Sequence, residues 1–267
     1  MALLHLNYHS RYLAGNTDVN ILLPELPQGA EPKDFYGSGK KYPVLWLLHG
    51  TTGDYTTWLR KSNIESYAME KGIIVVMPSA QNTNYADWSG FANGYAAFSM
   101  LTEELMPLVF GWLPASSARE DNFLAGNSMG GRGVCIYAFN HPERFAGAYV
   151  MSASPQDIRT HLDDKFFARR NRNMVADAGG MEGFLASPQN IWDKTREIAN
   201  SGQVLPRLIF ACGTADSLAY EDFRTFRQYA QDLKLKAEFL EEPGFDHEWA
   251  FWDNCVRDAI DKFFPGR

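Results

Sequence analysis

The chain predicts an α/β fold: a mostly parallel central sheet with helices on both faces and an antiparallel strand pair at the N-terminus. Three observations predict it. Short, wholly apolar runs such as Val44-Leu45-Trp46-Leu47-Leu48 read as strands covered on both faces. These runs alternate with segments of helical periodicity, the rhythm of strand–helix–strand units. Finally, Phe123-Leu124-Ala125 runs into Gly126-Asn127-Ser128-Met129-Gly130-Gly131 and then into an apolar stretch, so a strand, a tight turn and a helix are contiguous.

In order, Leu3–His9 and Val19–Leu23 read as the antiparallel opening pair around Gly15-Asn16. Prolines, glycines and charges make Pro24–Lys41 a surface connection. Strand Val44–Leu48 ends in the turn-rich His49-Gly50-Thr51-Thr52-Gly53-Asp54, followed by a helix around Ser62–Lys71 and a strand Ile73–Met77 before Pro78. Ser79–Gly94 reads as a polar loop and Phe98–Phe110 as a helix. The helix after Ser128 stops at Asn140-His141-Pro142. Strands at Phe145–Met151, Val204–Cys212 (ordered from about Arg207, after Pro206) and Lys236–Leu240 follow, with helices at Glu221–Leu233 and Trp249–Phe264. No clean strand appears in Ser152–Gln203, which reads as a helical insertion lining a cleft above the strand ends. With no repeats and no low-complexity segment, residues 1–267 are expected to form one domain with that insertion at about 152–203.

Composition narrows the function. A formal charge of −7 disfavours a nucleic-acid surface, which needs clustered lysine and arginine. Arg169-Arg170-Asn171-Arg172 is short and reads as a solvated helix face. No apolar run approaches the roughly 20 residues of a membrane span. Cys135, Cys212 and Cys255 are far apart, odd in number and without metal-ligand spacing, so neither a disulfide framework nor a metal site is expected. Met1–Leu6 lacks a basic stretch and turns polar at Asn7, unlike a secretion signal, and a cytoplasmic protein follows. A homo-oligomer is compatible with this composition.

The strand–Gly-Asn-Ser-Met-Gly–helix pattern is a nucleophile elbow of the α/β-hydrolase type, with Ser128 as nucleophile. A serine hydroxyl needs a base, and the base needs an acid that fixes its tautomer, in the chain order Ser, acid, His. Three histidines follow Ser128. His141 sits at the far end of the elbow helix, well over about 10 Å away at 1.5 Å per residue. His161, in the insertion, is a rival, but His247 lies in a late loop between a strand and the closing helix, where catalytic groups of open α/β sheets gather. Asp216 closes the strand Leu208–Cys212 through Gly213-Thr214-Ala215 and is the expected acid; Asp163, Asp164 and Asp193 lie in the insertion, and Asp246 is too close to His247 in sequence to face its ring. The tetrahedral oxyanion needs two donors, for which the backbone N–H groups of Met129 and Thr51 are placed after the elbow and after a neighbouring central strand. His49 reads as a side chain packed beneath that loop, holding the Gly50–Thr51 turn. Tyr85, Trp88, Phe184 and Leu185 are expected to shape a substrate pocket.

Leu47-Leu48-His49-Gly50-Thr51-Thr52-Gly53-Asp54-Tyr55-Thr56-Thr57-Trp58, Gly126-Asn127-Ser128-Met129-Gly130-Gly131, Cys212-Gly213-Thr214-Ala215-Asp216 and Asp246-His247-Glu248-Trp249-Ala250-Phe251-Trp252 together resemble the esterase D / putative esterase family over nearly the whole chain. Within it the chain looks most similar to the bacterial tributyrin esterases; relatives include S-formylglutathione hydrolases, feruloyl and acetylxylan esterases, and mycolyltransferases. The resemblance implies Ser128, Asp216 and His247 as the triad, Thr51 and Met129 as oxyanion donors, no cofactor, and a small-molecule ester as the partner. It points to a serine carboxylesterase for short-chain acyl esters, acetylated sugars among them. The alternatives are a formylglutathione-type thioesterase, a feruloyl or acetylxylan esterase, and a non-catalytic binding module on the same fold. The formylglutathione enzymes usually carry a cysteine shortly after the oxyanion glycine; here the segment reads Thr51-Thr52-Gly53, which argues against that alternative.

Overall fold

A computed structural model of the chain describes residues 1–91 and 93–266. The sheet-forming strands are β1 (Ala2–Ser10), β2 (Gly15–Leu23), β3 (Val44–Leu48) and β4 (Ile74–Pro78), then β7 (Asn122–Asn127), β8 (Gly147–Met151), β9 (Arg207–Gly213) and β10 (Ala237–Glu242); a separate two-residue pair, β5 (Asp87–Trp88) and β6 (Tyr95–Ala96), lies apart. The order across the sheet is β1-β2-β4-β3-β7-β8-β9-β10. The β1–β2 and β2–β4 pairings are antiparallel and every pairing from β4 to β10 is parallel, the α/β-hydrolase arrangement expected above.

The apolar strands divide their side chains between two cores. From β3, Val44, Trp46 and Leu48 join the helices Met129–Asn140 and Tyr220–Asp232 on one face, while Leu45 and Leu47 join Ile64–Lys71 and Trp249–Phe263 on the other. Each large side chain taken fully out of water contributes about 1.5–3 kcal/mol, so the central strands anchor the molecule. With both faces apolar, alternation alone does not set the register. The Trp46 indole donates to Asn122 Oδ1 (3.0 Å), and Asn122 Nδ2 donates to the carbonyls of Ser116 and Ala118. These bonds tie β3 to the start of β7.

The structure departs from the sequence expectation in three places. Pro24–Lys41 carries one helical turn, Pro32–Tyr36, with proline at the helix start, where its missing N–H is not needed. The helix expected at Phe98–Phe110 runs from Ala97 to Trp112 and widens to a π turn at Met100–Leu105, next to Pro107, whose ring and missing N–H disfavour a regular ladder. The polar loop at Ser79–Gly94 contributes β5 and leads into β6. The insertion folds into helices Ile158–His161, Ala168–Asp177, Met181–Leu185 and Ile191–Asn200. The last of these belongs to the core: Ile191 and Ile198 are buried, and Trp192 stacks on Tyr229 at 4.0 Å between ring centroids.

Candidate active site

The C-terminal ends of the parallel strands bring Ser128, Asp216 and His247 to one place. β7 ends at Asn127, and Ser128 turns the chain with φ +52° and ψ −119°, a left-handed conformation that a non-glycine residue adopts only where its surroundings impose it. The Ser128 N–H donates to the Met151 carbonyl (2.8 Å), fixing the turn against β8. The close crossing of helix and strand requires glycine: a Cβ on Gly130 would lie 2.3 Å from the Leu48 carbonyl oxygen, and one on Gly126 would lie 2.7 Å from the Gly130 carbonyl group.

Asp216 follows β9 and His247 follows β10. Their loops are laced together: the Ala215 N–H donates to the Phe245 carbonyl (3.0 Å), and a Cβ on Gly213 would meet that same oxygen at 2.2 Å. His247 Nδ1 lies 2.8 Å from Asp216 Oδ2, and His247 Nε2 lies 2.9 Å from Ser128 Oγ. The other carboxylate oxygen, Oδ1, accepts the N–H groups of Leu218 and Ala219, each at 3.0 Å. Burial by itself would raise the Asp216 carboxyl. The His247 hydrogen bond and charge, the Ser152 hydroxyl and the Leu218 N–H outweigh it and hold the group below the ordinary carboxylate range. An ionised Asp216 places the ring proton on His247 Nδ1 and leaves Nε2 to accept from Ser128. Edge-on packing of Trp252 against the imidazole (5.0 Å) limits its rotation, and the Trp252 indole donates to Ser152 Oγ (3.0 Å).

The loop after β3 has its own rigid support. His49 is 1% exposed; its Nε2 accepts the Ala80 N–H (3.0 Å), so Nδ1 carries the proton and donates to the Gly50 carbonyl (2.8 Å). That carbonyl also accepts the Gly53 N–H (3.1 Å). In a trans peptide the N–H points opposite to the C=O, so anchoring the Gly50 carbonyl aims the Thr51 N–H the other way. Among the described residues neither the Thr51 nor the Met129 N–H has a hydrogen-bond acceptor.

The other histidines are engaged elsewhere. His161 bonds Asp222 Oδ1 through Nε2 (3.0 Å) and the Asp157 carbonyl through Nδ1 (2.9 Å). His141 caps the elbow helix and stacks on Phe98. The expected pocket residues are placed differently from the prediction. Tyr85 is buried beneath the β3 loop, donating to the His49 carbonyl (3.1 Å), because Gly133 leaves a space that its ring fills. Phe184 is buried in a satellite cluster with Ile158 and Met174, against which Trp88 and Leu185 pack. None of the four lines the two hollows that meet at Ser128.

Those hollows are an open cleft of about 670 Å³ bordered by Thr51, Arg60, Lys61, Phe167, Trp249 and Trp252, and a small cavity of about 50 Å³ that reaches Met129, Arg132 and Arg170. Trp249 and Trp252 were recognisable in the sequence: three residues apart at the start of the closing helix, they share the face next to His247. Phe167 and Arg170 carried no such signal. Among the described residues, no group of three or more His, Cys, Asp or Glu is arranged to hold a metal ion, and no helix is long and apolar enough to cross a membrane. The three cysteines are buried and unbridged.

Strand order, elbow and the convergence of strand-end loops define an esterase of the α/β-hydrolase fold. The chain belongs to the putative esterase family, which matches residues 10–253. It is a serine-hydrolase-fold esterase active on small esters. Among similar proteins is an acetyl esterase of Caldicellulosiruptor saccharolyticus, 25% identical over 271 residues, which span 98% of this chain and 97% of that one. Two solved structures from Staphylococcus aureus superpose with a TM-score of 0.79 over 98% of both chains. One is the S-formylglutathione hydrolase FrmB, at 31% identity, and the other is the fluorophosphonate-binding serine hydrolase FphF, at 29%.

Proposed function

We propose that the protein is a serine carboxylesterase for short-chain acyl esters, with Ser128 as nucleophile, His247 as base and Asp216 as the acid that orients it. The observation that carries this reading is the hydrogen-bonded chain Asp216–His247–Ser128 beside two N–H groups without acceptors. As Oγ attacks the ester carbonyl, His247 Nε2 takes the Ser128 proton, and Asp216 stabilises the resulting imidazolium. The oxyanion sits between the Thr51 and Met129 N–H groups; loss of one such donor elsewhere costs about 2.7–4 kcal/mol. His247 then protonates the leaving alkoxide, and a water activated by the same nitrogen releases the acid.

The small cavity supports a short acyl group, since its roughly 50 Å³ fills after a few atoms, while the wider cleft suits a larger alcohol such as a sugar. Intact-mass analysis after fluorophosphonate treatment tests the nucleophile: one adduct is expected on the wild type and none on Ser128→Ala, and an adduct on another serine rejects the assignment. A panel of p-nitrophenyl esters from acetate to laurate, beside acetylated sugars, feruloyl esters and S-formylglutathione, tests the substrate. kcat/KM should peak between acetate and butyrate; a steady rise through decanoate rejects the small-pocket picture. The 31% identity to an S-formylglutathione hydrolase over nearly all of both chains supports a second reading, a thioesterase of that type. It wins if S-formylglutathione outpaces every oxygen ester.

A further inference from the structure

The small cavity beside Ser128 and His247 is lined by two arginines that, among the described residues, join no ion pair. Arg132 lies in the first turn of the helix Met129–Asn140, where the macrodipole disfavours a cation. It is only 8% exposed, its Nε has no hydrogen-bond partner, and among the described residues it joins no ion pair. Arg170 comes from the insertion; its guanidinium lies 4.1 Å over the Phe167 ring, and among the described residues its one polar contact is a long bond from Nε to Asn171 Oδ1 (3.4 Å). Burial weighs most against the charge on both and the Arg132 charge adds to it at Arg170, while the Asp222 carboxylate favours both charges and Asp164 favours that on Arg170. Among the described residues the one carboxylate lining the cavity, Asp222, also accepts from His161 Nε2 (3.0 Å) and from the Gln156 amide. A buried guanidinium with no direct carboxylate contact is costly, and an anion entering the cavity relieves that cost.

We propose that Arg132 and Arg170 form a carboxylate-recognising subsite for the acyl end of the substrate, so that the preferred ester is a half-ester of a short dicarboxylic acid. This rests on the serine-esterase reading above. The size agrees with a small distal group: the cavity of about 50 Å³ has room for only a few atoms beyond the reacting carbonyl. A CH₂–COO⁻ group has four. The reaction is balanced as an ordinary hydrolysis: water and a monoalkyl malonate yield malonate, the alcohol and one proton, with the ester C–O bond broken and no change in oxidation state. The guanidiniums hold the distal carboxylate and take no part in the proton transfers.

The test compares kcat/KM for monoethyl malonate and ethyl butyrate, which share a leaving group and nearly the same acyl length, by following ethanol release. The wild type should prefer the malonate half-ester at least tenfold, the size of effect that charge-assisted hydrogen bonds give. Arg132→Gln and Arg170→Gln should each lower that ratio about tenfold or more. A wild-type ratio at or below one, or a ratio that Arg132→Gln leaves unchanged while Tm falls, overturns the subsite and makes the arginine structural. A second measurement needs no variant: free malonate should inhibit p-nitrophenyl acetate hydrolysis at least tenfold more tightly than propionate, and equal inhibition rejects the proposal. Fluorophosphonate labelling separates the two levels. Label on Ser128 with no malonate preference removes only the subsite, whereas label elsewhere removes the serine reading beneath it.

Discussion

Replacing Asp216 by asparagine should disable the protein through a proton in the wrong place, and the structure allows the size of the effect to be worked out. One carboxylate oxygen of Asp216 accepts the Leu218 and Ala219 N–H groups, and the other accepts His247 Nδ1–H. An asparagine has one acceptor to share between these two places. If its carbonyl keeps the two backbone donors, its NH₂ faces His247 Nδ1. That nitrogen must then accept, so the ring proton moves to Nε2, 2.9 Å from Ser128 Oγ, and the base is lost. The opposite orientation keeps the productive tautomer but points NH₂ at the Leu218 and Ala219 N–H groups. The Ala219 N–H keeps a long bond to the residue 216 backbone carbonyl (3.4 Å), so the Leu218 N–H alone loses its acceptor, at about 1–3 kcal/mol. At 1.36 kcal/mol per factor of ten, the productive tautomer falls to between about one in 5 and one in 160. The assay is kcat for p-nitrophenyl acetate alongside the second-order rate of fluorophosphonate labelling; both need the same proton transfer and should fall together, with circular dichroism unchanged. A folded Asp216→Asn protein within about threefold of wild-type kcat would refute the reasoning.

Three further outcomes are expected. Thr51→Ala should retain most activity because the proposed donor is backbone, whereas Thr51→Pro, which deletes that N–H, should lose about a hundredfold or more in kcat if melting shows it folded; full kcat in folded Thr51→Pro rejects the donor. Gly130→Ala must push a Cβ against two carbonyl oxygens, at 2.3 and 2.7 Å, so urea denaturation should show a loss of about 1–3 kcal/mol or more together with reduced kcat; a neutral result would mean that the elbow relaxes freely. Burial holds the His49 imidazole below its ordinary 6.5, outweighing the Gly50 and Asp54 contributions. The unfolded chain therefore binds a proton that the folded protein refuses. The stability due to His49 is complete above about pH 6.5 and is lost as the pH falls from there through the lower folded value, at up to about 1.4 kcal/mol per pH unit. Urea midpoints from pH 8 to 5 should show the wild-type advantage over His49→Gln shrinking on the acid side, and parallel curves would contradict the assignment.

Much of the architecture was legible because its signals are local. The β3 run is apolar throughout, and its boundaries coincide with the strand. The elbow is a contiguous string in which glycine spacing, strand and helix reinforce one another. Asp216 and His247 could be chosen because chain order and strand-end position leave few candidates. The pocket residues were not legible. Tyr85, Trp88, Phe184 and Leu185 have the composition of a cleft lining, yet an aromatic residue gives no sign of whether its ring faces a cleft or a core. Tyr85 filled the space over Gly133, and the other three joined a satellite cluster.

By itself, then, the sequence determined the strand–helix order, the strained turn at Ser128, the support role of His49 and the identity of the residues that meet at the strand ends. Each depends on neighbours in the chain or on a rule of topology. Only the tertiary structure decided how far Asp216 is committed on both its oxygens, which direction the Thr51 N–H takes, and that Arg132 and Arg170, 38 positions apart in the chain, line one cavity with no ion pair among the described residues. Those facts depend on distances between segments that no local pattern encodes: the loops after β9 and β10 must be laced together, and the insertion must fold back over the elbow helix, before the charges and donors have any partners to gain or to lack.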